Sequence, residues 1–273
     1  MSMRLNIVPA RTGIAWFRAG LRTFWQQPLA LAGLFFMFIT VISLTSLIPW
    51  VGSVLGLALL PAATLGLMAA TREAAQGRFP MPSILASAFR AGQQRARAMA
   101  VLGAAYAAGF LLVLAVSALA DGGQFARLYL LGGQLTPELV QSPAFQNAMW
   151  LAIGLYLPFA MLFWHAPALV HWHGISPGKS LFFSAVACGR NLGALALYTL
   201  AWMGLFFGAG VVVMVLTISL GAPGLMNTLM FPTAMLLAAM FFSSIWFTFQ
   251  DCFVSDEAPA PEVDDADAAP PSA

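Results

Sequence analysis

The sequence predicts an all-α integral membrane protein, a six-helix transmembrane bundle. Three observations predict it. Of 273 residues, 60% are hydrophobic and only 8% charged, with a mean hydropathy of +0.84. A soluble domain carries about a quarter charged residues. The apolar residues gather in six runs, each long enough to cross a bilayer, which takes about 20 helical residues. Finally, the basic residues are distributed between these runs so that nearly all share one side. Transmembrane strands would need short alternating segments, and these runs do not alternate.

The first element, residues 1–28, is an amphipathic segment. It is not expected to be a removable signal, because 28 residues precede the first apolar run and that run is long enough to span. Drawn as a helix, TGIAWFRAGLRTFWQQ (12–27) gathers Ile14, Phe17, Leu21, Phe24 and Trp25 on one side. Arg22, Thr23, Gln26 and Gln27 lie opposite, with Arg18 flanking the apolar side. That pattern predicts a helix lying in the membrane interface. Trp16, Phe17 and Trp25 would sit at the headgroup boundary, with Arg18 and Arg22 turned toward phosphates. Residues 83–97 repeat the pattern more weakly, with Ile84, Leu85, Ala88 and Phe89 against Arg90, Gln93, Gln94 and Arg97. Recognition of anionic lipid and simple topological anchoring both produce such segments.

The six spans are read at 29–48, 51–71, 98–119, 147–168, 192–220 and 225–250, making 29–250 the transmembrane domain. Eleven of the twelve Lys and Arg fall in the N-terminal segment and in the loops after the second and fourth spans; Arg127 alone lies across the membrane. The positive-inside rule then places both termini in the cytoplasm of a bacterial inner-membrane protein. Residues 251–273 form an acidic tail with much Ala and Pro, which is expected to be disordered.

An internal repeat is visible. FRAG occurs at 17–20, before span one, and again at 89–92, before span three; SLFFSAVACGRN (180–191) holds the same place before span five. Each even span carries a proline after a bulky apolar residue: Pro61, Pro158 and Pro232. The chain therefore reads either as three pseudo-repeated hairpins, each led by an interfacial amphipathic helix, or as unrelated membrane hairpins that look alike at this level. The three prolines are candidate helix kinks, and they free backbone carbonyls that a path could use.

The strongest constraint on function is an absence. No Asp, Glu, Lys or Arg falls inside the six spans as bounded above. Proton-coupled transporters and pumps normally place such a group there. His165, His171 and His173 form the only histidine cluster, but their spacing is poor for a metal, and they read as polar residues at the membrane boundary. No G-x-S-x-G, H-E-x-x-H or P-loop occurs, and no paired acids, so no enzymatic activity and no cofactor are implied. Cys188 and Cys252 are expected to be free thiols. The implied partners are membrane lipids, anionic ones among them. Nucleic acid is not implied at a net charge of +2, and pairing with another protein chain is left open.

The stretches VPAR (8–11), the Trp16 region, Pro28, IPWVG (48–52), Pro61, and Gly66 to Arg72 followed by Gly77 resemble an uncharacterised family of six-span inner-membrane proteins from beta-proteobacteria and their relatives. That resemblance implies location and fold, and carries over no catalytic residue. The function expected is that of a structural or accessory envelope protein. The alternative is a passive transporter or channel for uncharged or apolar solutes. A path lined by spans two and four would favour the second, and a closed bundle the first.

Overall fold

A computed structural model describes residues 3–49, 51–222 and 224–255. A short strand, β1 (Met3–Leu5), leads into α1 (Thr12–Gln26), α2 (Pro28–Ser46) and α3 (Gly52–Ala75). A 3-10 turn (Pro82–Ala86) and α4 (Ser87–Arg90) precede α5 (Gln93–Asp121). The short helices α6 (Gln124–Leu131) and α7 (Pro137–Gln141) come before α8 (Pro143–Phe163) and α9 (Ala166–His173). Then follow α10 (Pro177–Arg190), α11 (Leu192–Ser219), α12 (Leu225–Cys252) and β2 (Phe253–Ser255). Six of these are apolar and long enough to cross a membrane: α2, α3, α5, α8 continued by α9, α11 and α12.

The helices outrun the apolar windows where they leave the hydrocarbon. Arg72 and Glu73 belong to the last turns of α3, Arg95 and Arg97 to the first turns of α5, and Asp251 to the end of α12. Backbone hydrogen bonding continues into water after hydropathy has fallen. Residues 251–255, assigned to the tail, are therefore part of the fold, and β2 pairs antiparallel with β1. Residues 256–273 lie outside the described residues.

The central helix is α3. It is 61% buried in its most apolar window, against 17% for α11, which marks α11 as peripheral. Lipid chains are as apolar as Leu, so close van der Waals packing holds helices together in a membrane. Glycine makes that approach possible. A Cβ on Gly103 of α5 would run into the Ala58 carbonyl of α3, and one on Gly66 would meet the Leu85 backbone.

The amphipathic segments recur in one relation. The 82–90 segment packs on α3, α10 packs on α8, and α1 packs on α12 and α11. Each thus lies against the second span of the preceding hairpin, and α1 closes the series onto the last. The FRAG tetrapeptides do not carry this likeness. Phe17–Gly20 is inside α1, whereas Phe89–Gly92 runs off the end of α4 and turns at Gly92, φ +100°. That turn also corrects the reading of 83–97 as one amphipathic helix, since α5 begins afresh at Gln93.

Candidate functional site

A cavity of about 580 Å³, open on one side where Tyr129 and Tyr156 are exposed, lies between α3, α5, α8 and α12. That is within the ~300–1,000 Å³ of small-molecule sites. Leu60, Pro61 and Thr64 of α3 form one wall, and Phe241, Phe242 and Ile245 of α12 another. Three of the chain's four tyrosines line it: Tyr106 from α5, Tyr129 from α6 and Tyr156 from α8. All three rings surround Phe110, at centroid distances of 6.2, 5.2 and 5.9 Å. No charged side chain lines the cavity. Burial raises the Tyr129 pKa, so that phenol remains a donor at neutral pH. Phe163, Trp164 and Pro167 add apolar and aromatic wall, with Phe163 edge-on to Tyr106 at 5.0 Å. The site can take an uncharged molecule that has an acceptor for the phenols and an apolar body. No carboxylate, amine, imidazole or thiol lines it; its polar side chains are Thr64, Trp164 and the three tyrosines.

A loop at the far end from the termini shapes the tyrosine side. The Asp121 carboxylate accepts from the Gly123 and Phe125 amides at 2.8 and 2.6 Å. Gly122 and Gly123 both have positive φ, which lets α6 fold back under the bundle and present Tyr129.

The break in the fourth span lies at none of the candidate kinks. Pro61, Pro158 and Pro232 do not interrupt their helices, and only Pro61 faces the cavity; Pro158 and Pro232 are exposed. The helix stops at Trp164–His165, just ahead of Pro167. Ser184 of α10 bridges that break, donating to the Met161 carbonyl (2.7 Å) and accepting from the His165 amide (2.9 Å).

His165 is fully buried, which corrects its reading as a boundary residue. The Thr248 hydroxyl donates to the Ile245 carbonyl at 2.8 Å. It therefore accepts from Trp164 Nε1 (3.0 Å) and from His165 Nε2 (3.2 Å). This fixes the Nε2–H tautomer and leaves Nδ1 as an acceptor, 3.8 Å from the Cys188 thiol. Burial pushes that thiol up to about 12, so Cys188 is held as an unreactive SH. His171 and His173 sit on α9 without joining this cluster. Among the described residues no three of His, Cys, Asp and Glu come together to hold a metal ion.

The predicted interface residues divide. Trp16 is 1% exposed and donates through Nε1 to Asp251 at 2.7 Å, so it belongs to the protein core and not to the headgroup layer. Phe17 packs edge-on against Trp202. Much of the apolar face of α1, Trp25 excepted, is thus covered by α11 and α12. Arg18, Arg22 and Trp25 are exposed, and exposed Arg90 lines a hollow with Glu73, Ser87 and His171. Sequence reasoning missed Arg72, whose guanidinium sits 5.8 and 5.6 Å from the Trp172 and Trp246 rings. It also missed Asn191, which accepts from the Val8 amide and donates to the Asn6 carbonyl, tying the N-terminal extension to α11.

The chain is 39% identical over 264 residues to a probable inner membrane protein of Burkholderia thailandensis, covering 96% of this chain and 98% of the relative. The chain belongs to that family. No family model and no solved structure matches it. Membership fits the six apolar helices and makes this a multi-pass inner-membrane protein.

Proposed function

We propose that the protein is a non-catalytic membrane carrier or binding protein that holds an uncharged, largely apolar molecule between its spans. The cavity carries this reading. It is lined by the second and fourth spans, α3 and α8, and it contains donors but no charge. A passive site for such a solute needs little else. α8 and α12 both border it and do not pack closely on one another. Their seam is the route from the bilayer. Replacing Tyr106, Tyr129 and Tyr156 together by Phe keeps the shape and removes three donors. Each hydrogen bond is worth about 1 kcal/mol. The amount of any uncharged molecule that co-purifies with the protein should fall at least tenfold while helical circular dichroism is unchanged. Unchanged retention would remove the tyrosines from recognition.

The basic end, carrying both termini, faces the cytoplasm in this reading, and 122–142 faces the periplasm. Cys introduced at Ser142 should react with an impermeant maleimide in cells with a permeabilised outer membrane, and Cys at Ser83 should not. The reverse pattern would invert the orientation.

A further inference from the structure

We propose that the outward face of α1 is a binding groove for the phosphate headgroup of an anionic phospholipid. A groove of about 1040 Å³ runs along this helix. Arg11, Arg18 and Arg22 project beside it, Ala15 and Ala19 keep its floor shallow, and Leu197 and Phe247 supply apolar wall. Cationic heads next to apolar wall suit a lipid headgroup with the upper part of its chains.

Among the described residues Arg11, Arg18 and Arg22 have no ion-pair partner. The described residues contain four acids, and each is engaged elsewhere. Glu73 pairs with Arg78, Asp121 caps α6 and Asp251 holds Trp16. Glu138 lies in the far-end loop, its carboxyl held low by the local backbone and the Thr136 hydroxyl. The helix does not need its arginines as an anchor either, because Trp16 and Phe24 already fix its apolar face in the protein. Gly13 and Gly20 pack against the Ala194 backbone and Ser244, holding α1 across the ends of α11 and α12. Two cations on a rigid helix, with Arg11 at its N-cap, are thereby arrayed where the chain enters the bilayer at Pro28. This site is separate from the cavity and stands or falls independently of it.

The test is native mass spectrometry of the full chain released from nanodiscs of mixed phosphatidylglycerol and phosphatidylcholine. Wild type should retain phosphatidylglycerol in excess. Each arginine near an anionic surface is worth roughly fivefold in affinity, so R18Q/R22Q should lose that excess by more than tenfold, and R11Q by roughly fivefold. R95Q/R97Q removes the same charge elsewhere on the basic end and should leave the excess intact. An equal loss in R95Q/R97Q would reduce the effect to diffuse charge and overturn the site. So would an excess insensitive to R18Q/R22Q and R11Q. An excess seen only after deletion of 256–273, with its six acids, would mean that the acidic tail fills the groove, which also overturns the lipid assignment.

Discussion

Replacing Gly103 by Leu is expected to unfold much of the protein on extraction. Gly103 is buried where α5 crosses α3, and any Cβ there meets the Ala58 carbonyl, which is helix backbone and cannot rotate away. The two spans must separate along their length. Overpacking a tight interior costs about 1–3 kcal/mol, and a backbone obstruction falls at the upper end. Because membrane helices associate through close packing, without the hydrophobic drive available in water, little else compensates. The midpoint of thermal unfolding in detergent should drop by many degrees, and the monodisperse fraction on size exclusion should collapse. Gly208 on α11 is the control: nothing lies within 4 Å of a Cβ there, so Gly208→Ala should leave both readouts near wild type. Equal behaviour of the two variants would show that α3 and α5 do not approach as described.

The second large effect concerns the cavity. Ala152 is buried in α8 and lines the cavity directly. Ala152→Trp places an indole in the space and should exclude the occupant, lowering its retention by more than tenfold. The helix itself tolerates the change, since Trp costs well under 1 kcal/mol of propensity relative to Ala. If the indole instead disturbs packing, Ala160→Phe, one turn past Tyr156 on the same wall, fills less space and should reduce retention with less loss of stability.

The six spans were legible because bilayer thickness sets a length and hydropathy reports it directly. Span five begins at Leu192 in both readings. The charged ends of α3 and α5 were not legible, since helical hydrogen bonding extends past the apolar window that betrays it. The amphipathy of 12–27 was legible, but what covers its apolar face was not. Periodicity gives a direction, and both lipid and protein satisfy it; Trp16 turned out to face Tyr198 and Asp251. His165 carried one usable signal, Pro167 two residues later, which marks a break whose freed groups need a partner such as Ser184. The tyrosine cluster carried none. Tyr106, Tyr129 and Tyr156 are far apart in sequence, on three different helices, and only the tertiary fold brings them around Phe110.

Whether the cavity holds an uncharged apolar molecule is decided by mass spectrometry of organic extracts from purified wild type and Ala152→Trp protein at matched helicity. One uncharged species should be near stoichiometric with wild type and strongly depleted in Ala152→Trp, while bulk phospholipid is equal in both. Identical extracts from the two proteins would contradict that occupancy.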